Sequence, residues 1–147
     1  MARGALLDIA IRPASRQDMQ TLADCQLSPE AGLAADFRGR PGSRQVTVLA
    51  IEDWRQACSE LGVDLPWTTR RANLLVEGIA LFDSAGLQLR IGAAVLAITG
   101  ETAPCSRMEE YQEGLRAALS PRWRGGVCCR VIAGDHLNVG ATVELEE

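Results

Sequence analysis

Short apolar segments, rich in β-branched residues and bounded by glycine, proline or asparagine, recur along the chain and predict seven strands. They are Leu6–Ile11, Gln45–Ala50, Asn73–Glu77, Leu87–Ile91, Ala94–Thr99, Val127–Ile132 and Ala141–Leu145. Two other stretches repeat apolar residues at three- and four-residue steps, the mark of a helix with one buried face. In the first, about Ile51 to Leu61, the stripe is Ile51, Trp54, Cys58 and Leu61, and Gly62 follows where a left-handed cap belongs. The second, about Met108 to Leu119, carries Met108, Tyr111, Leu115 and Leu119; Gly114 weakens it in the middle and Pro121 stops it. Between Gly32 and Arg44 the periodicity disappears, and three arginines and three glycines predict a long loop of the kind that often forms a binding or lid segment.

Tight glycine turns at Ile91-Gly92-Ala93 and Val139-Gly140-Ala141 pair neighbouring strands. The expected fold is therefore a mixed α+β, β-dominated domain: a mostly antiparallel, barrel-like sheet of about seven strands, with two or three helices plugging its openings. A chain of 147 residues fits one such domain, spanning 1–147, and no second catalytic domain. Its 47% hydrophobic and 23% charged residues are those of a globular protein. No apolar run approaches the roughly 20 residues that span a bilayer. Asp8 stands directly behind the first leucine pair, too early for the apolar core of a signal peptide, so the expected location is cytoplasmic and off the membrane.

The net charge of −4 argues against a nucleic-acid partner, so any anion site has to be a local arginine cluster. All 15 basic residues are arginine, and without lysine an internal aldimine with pyridoxal phosphate is excluded. Zinc is disfavoured, because the five cysteines form no C-x-x-C pair and His136 is the only imidazole. The odd number and irregular spacing of the cysteines also predict no disulfide framework. Cys25, Cys58, Cys128 and Cys129 read as small core residues. Cys105 differs, because Arg107 follows two positions on, and a cationic neighbour favours the thiolate that acts as nucleophile or metal ligand.

The ordered segments resemble a known family. They are Ile11-Arg12-Pro13, Gly32-Leu33-Ala34-Ala35-Asp36, Arg44–Leu49, Arg70–Ile79, Leu89-Arg90-Ile91-Gly92, Pro104-Cys105-Ser106-Arg107-Met108 and Leu137-Asn138-Val139-Gly140. In this order the chain resembles a small stand-alone MOSC domain, the module found at the C-terminus of molybdenum cofactor sulfurases. The resemblance implies a β-barrel that binds a molybdenum cofactor of the molybdopterin type, or that carries sulfur as a Cys105 persulfide for assembly of a metal–sulfur centre. It implies a cysteine desulfurase or a molybdoenzyme as partner, and Cys105 as a candidate molybdenum ligand. Two positions depart from the family: Met108 stands where reducing relatives have a second cysteine, and Ala35-Asp36-Phe37 stands where glycine, aspartate and histidine are common. Two further readings follow, a molybdenum-dependent reductase module served by separate electron donors and a non-catalytic binding or regulatory module.

The candidate site is thus Cys105 and Arg107 for the chemistry, with Asp36, Arg44, Arg70, Arg71 and Asn73 around the cofactor. Planar guanidinium groups suit phosphate or pterin, while the same arginines could equally be solvated surface charge. Arg70 and Arg71 are adjacent, so at most one of them is expected to face a pocket. Asn73 and Glu77 could brace that pocket by hydrogen bonding.

Overall fold

In the computed structural model, which describes residues 2–147, the seven apolar segments are the staves of a closed mixed barrel. In chain order the strands are β1 (Ala2–Ile11), β2 (Gln20–Leu22), β3 (Asp24–Ser28), β4 (Gly32–Leu33), β5 (Val46–Ala50), β6 (Leu74–Glu77), β7 (Gln88–Ile91), β8 (Ala94–Glu101), β9 (Val127–Ala133), β10 (Asp135–Asn138) and β11 (Thr142–Glu146). Around the barrel the order is β11-β7-β8-β9-β5-β6-β1, and β1 closes it by pairing with β11 through Ala2–Ala5. Every barrel pair is antiparallel except β5 with β6, which run parallel in register Val48↔Leu74 to Ala50↔Val76. That pair needs a crossover, and the connection supplies it with helix α1 (Ile51–Leu61) and a 3-10 turn, Trp67–Arg70.

Alternation along three neighbouring staves separates two apolar clusters. Leu6 and Ile9 of β1, Val48 and Ala50 of β5, and Leu74 and Val76 of β6 point into the barrel core. Leu7, Leu49 and Leu75 point outward, into a second cluster with Trp54, Ala57, Cys58, Met108, Leu115 and Leu119. The helices therefore cover the outer wall made by β1, β5 and β6 rather than plugging the openings. The amphipathic stripe of α1 requires this, because it needs an apolar wall to lie on and the barrel interior is already filled by the inward residues. Among the described residues no helix is long and apolar enough to cross a membrane.

The single helix expected over Met108–Leu119 is two: α2 (Ser106–Tyr111) and α3 (Leu115–Leu119). Gln112 is extended (φ −157°, ψ 124°) and Gly114 takes the left-handed region at φ 86°, which breaks the helix. Glu109 then caps the second piece, accepting from Gly114 N at 2.8 Å and Arg116 N at 3.3 Å. The first piece begins two residues earlier than expected, so Cys105 lies directly before it.

The loop over residues 32–44 is also more built than expected. Gly32–Leu33 form β4 in a small three-stranded sheet, β10-β3-β4, which the polar sequences of β3 and β10 concealed. The buried amide of Gln45 ties the loop down. Its Nε2 donates to Pro29 O and Gly39 O, and its Oε1 accepts from Val131 N of β9. His136 is exposed on β10, with Nε2 3.1 Å from Asp24 Oδ2.

Asp135 holds the β7–β8 turn, its carboxylate accepting from Ala93 N and His136 N. These amide bonds keep its pKa below the ordinary aspartate range. A carboxyl lowered by folding stabilises the protein above its unfolded pKa of about 4, and the contribution is lost as the pH falls through the folded value. Thermal melts of Asp135→Asn and the parent protein are expected to differ at pH 7 and to converge as the pH falls toward 2; a constant difference would refute the assignment.

Candidate functional site

Four segments distant in sequence meet beside the parallel pair: the turn after β1, the loop around Asp36–Arg44, the 3-10 turn with its exit at Arg71–Asn73, and the β8–α2 connection. They enclose a cleft of about 620 Å³. All seven candidate residues, Cys105, Arg107, Asp36, Arg44, Arg70, Arg71 and Asn73, line it. It also contains residues outside that candidate set: Arg12, Arg16, Arg38, Ser15, Met19, Thr47, Thr102, Ala103 and Met108. Seven arginines thus face a single carboxylate in a protein whose net charge is −4. None of these seven takes part in an ion pair among the described residues.

The lining residues do different work. Asn73 is a brace: its Oδ1 accepts from Thr47 N at 3.0 Å and Thr47 Oγ1 at 3.2 Å, and its Nδ2 donates to Ala10 O at 3.1 Å. This locks β1, β5 and β6 together under the cleft. Asp36 is a lock on the loop, accepting from Arg12 N at 2.9 Å and Arg38 N at 3.4 Å. Its carboxylate therefore sets the positions of two cleft arginines. Glu77 is exposed at the end of β6 and does not line the cleft.

Arg70 and Arg71 both face the cleft, against the expectation for adjacent residues. The reason is local: Arg70 ends the 3-10 turn, and Arg71 takes the left-handed conformation at φ 65°, which turns its side chain back. Arg70 is 7% exposed; its Nε donates to Gly125 O at 2.9 Å and its Nη2 to Thr102 O at 2.8 Å. Nη1 keeps no protein partner among the described residues. Burial lowers its pKa, opposed first by the nearby thiol of Cys105 and then by that of Cys128. Arg71 bridges the two lips, donating from Nη1 to Tyr111 Oη and from Nη2 to Gln17 O.

Arg12 is the clearest omission. Its guanidinium stacks 5.6 Å from the Phe37 ring centroid. Its pKa is lowered by burial and then by the positive charges of Arg71 and Arg38, and less by Arg107, with Asp36 opposing. Guanidinium groups that depress one another in this way gain when an anion enters among them. The position Ile11-Arg12-Pro13, at the exit of an apolar strand, was the available signal.

Cys105 is exposed, whereas Cys25, Cys58, Cys128 and Cys129 are buried. Burial pushes the Cys129 thiol well up, removing it from thiolate chemistry. Met108, 1% exposed, fills the floor of the cleft and packs into the helix cluster. No group of three or more His, Cys, Asp or Glu side chains among the described residues is placed to hold a metal ion. The arrangement combines one accessible soft nucleophile, a preorganised buried cation and a ring of unpaired guanidinium groups.

Comparison with known proteins agrees with this geometry at the level of the fold. The YuaD protein from Bacillus subtilis superposes with a TM-score of 0.83 at 17% identity, over 100% of this chain and 99% of that one. YiiM from Escherichia coli superposes with a TM-score of 0.72 at 17% identity, over 99% of this chain and 70% of that one. YiiM from Geobacillus stearothermophilus gives 0.69 at 15% identity, over 98% and 73%. No curated protein matches the sequence. The family model described as the MOSC domain matches residues 20–144, so the chain belongs to the MOSC domain family.

Proposed function

We propose that Cys105 is a sulfur-bearing thiol, carrying a persulfide for metal–sulfur centre assembly, in a cleft that accepts an anionic cofactor of the molybdopterin type. One observation carries this reading: the exposed cysteine opens onto the same cleft as seven arginines and one carboxylate. A terminal persulfide sulfur is anionic at neutral pH and needs cationic support. Arg70 and Arg107 line the cleft and supply it, and the only lining carboxylate, Asp36, is bonded to backbone amides.

The lining also suits a phosphate-bearing pterin. Arg12, Arg38, Arg44 and Arg71 offer planar donors for phosphate, and Cys105 offers one soft protein ligand for molybdenum. Such a cofactor, when bound, supplies a metal–sulfur centre able to receive or return sulfur. Donor and acceptor would be a cysteine desulfurase and a molybdoenzyme. The binding-module reading would be favoured by a cysteine buried in a closed pocket, and Cys105 is exposed.

The test is Cys105→Ser, with protein-bound persulfide measured by mass spectrometry after incubation with a sulfane-sulfur donor, and molybdenum measured by elemental analysis. Complete loss of persulfide, with the fold retained, is expected. Unchanged persulfide and unchanged molybdenum together would overturn the proposal.

A further inference from the structure

Cys128 is a buried thiol on the side of β9 that faces away from the barrel core. Successive residues of a strand face opposite sides, and Cys129 belongs to the barrel core. Cys128 points the other way, is 3% exposed, and belongs to neither apolar cluster. Its sulfur lies 3.1 Å from Thr102 Oγ1, a hydrogen bond in a polar setting. Thr102 lines the cleft, and its carbonyl accepts from Arg70. Arg70, bonded to Thr102 O, lies near enough to both Cys105 and Cys128 for their charges to oppose the lowering of its pKa by burial.

The connection between them is short. Thr102 and Cys105 are three residues apart, a span of at most about 11 Å when extended. The coil 102–105 is held to β9 at its start, where Thr102 N donates to Gly126 O at 2.9 Å, and Ala103 is exposed. A disulfide closes when Cα atoms come within about 6 Å. For Cys105 to reach the Cys128 sulfur, the coil has to fold over onto β9, with the Thr102 hydroxyl swinging off that sulfur and Pro104 leaving its buried position.

We propose that Cys128 is the resolving cysteine of the site, releasing the sulfur that Cys105 carries; this rests on the sulfur-carrier reading above. The Cys128 sulfur attacks Cys105 Sγ and forms a Cys105–Cys128 bond. The persulfide S–S bond breaks, its electron pair stays on the terminal sulfur, and that sulfur takes the Cys128 proton and leaves as hydrosulfide. The carried sulfur is reduced, the two thiols are oxidised to the disulfide, and a dithiol reductant restores the starting state. Arg70 stabilises the anionic sulfur at both ends of the exchange.

The experiment loads the whole protein with inorganic polysulfide, removes the excess, and follows sulfide release and non-reduced peptide masses. The parent protein is expected to release about one sulfide per loaded chain without added thiol and to yield a peptide linking Cys105 to Cys128. Cys128→Ser is expected to keep the persulfide and to release sulfide at least tenfold more slowly, and Cys128→Ala to behave alike. Release from the variants at the rate of the parent protein, or a bridge from Cys105 to another cysteine, overturns the inference while leaving the carrier reading intact. Absence of persulfide on Cys105 in both Cys128 variants, with no sulfide released by the parent protein, overturns both. The peptide map of the unsubstituted protein decides the matter even if a variant fails to fold.

Discussion

Gly126→Ala is expected to cost about 4 kcal/mol of stability, against about 1 to 2 kcal/mol for Gly140→Ala. The two glycines have nearly the same backbone, φ +97° and φ +96°. A side chain at either pays for an unfavourable conformation, and at position 140 it pays little else, because an added Cβ meets nothing within 4 Å. At position 126 the Cβ would stand 2.3 Å from Val48 O and 3.4 Å from Leu49 Cα. Those are backbone atoms of β5, a stave that cannot move without disturbing its pairing to β9 and β6. Net stabilities of domains are about 5 to 15 kcal/mol, so such a loss threatens folding at physiological temperature. Chemical denaturation of both variants measures the difference, and equal losses would show that the close approach of β9 to β5 is not needed.

The same glycine bears on the cleft. Gly126 O accepts from Thr102 N, and the preceding Gly125 O accepts from Arg70 Nε. Moving this corner of β9 therefore moves both anchors of the connection that carries Cys105.

The barrel was legible because its staves are apolar and β-branched, and alternation sorts Leu74 and Val76 inward from Leu75 without further information. Helix α1 was equally plain from its stripe and from Gly62. The small sheet was not, since Asp24–Ser28 and Asp135–Asn138 are largely polar and bury only Cys25, Leu27 and Leu137. Periodicity detects burial, and a strand that buries two residues leaves little of it. Gly114 marked the weak point of the second helix, but not the full break, which adds an extended Gln112 and a Glu109 cap on Gly114 N that an apolar stripe does not announce.

For the site, motif positions placed seven residues in one cleft; the brace expected at Asn73 is there, whereas the Asp36 carboxylate, expected at the cofactor, is bonded to the surrounding chain. Arg12, Arg16 and Arg38 escaped notice because an arginine in an aperiodic segment looks the same whether it faces solvent or a cleft. What gathers them is the crossover from β5 to β6 and the tethering of the long loop by Gln45, neither of which is a local property.

Arg70→Ala is expected to lower stability by about 2 kcal/mol and to weaken binding of inorganic phosphate in the cleft at least tenfold. Two terms of opposite sign set the stability change. Removing the guanidinium relieves the desolvation of a buried charge that has no carboxylate partner. It also orphans the carbonyls of Gly125 and Thr102, each worth about 1 to 3 kcal/mol when left unpaired in the interior. The second term wins, because two charge-assisted bonds are lost with the guanidinium. Arg70→Lys separates the roles: an ammonium keeps the charge but cannot span both carbonyls with a planar fork, so phosphate binding should recover more than stability does. Arg44→Ala is the contrast, an exposed cleft arginine without a protein partner, expected to weaken phosphate binding while changing stability by less than about 0.5 kcal/mol. Denaturant titration and calorimetry at two salt concentrations read both quantities. If Arg70→Ala and Arg44→Ala behave alike in stability, the bonds to Gly125 and Thr102 are not what holds the β8–α2 connection, and Cys105 depends on some other anchor for its place at the cleft.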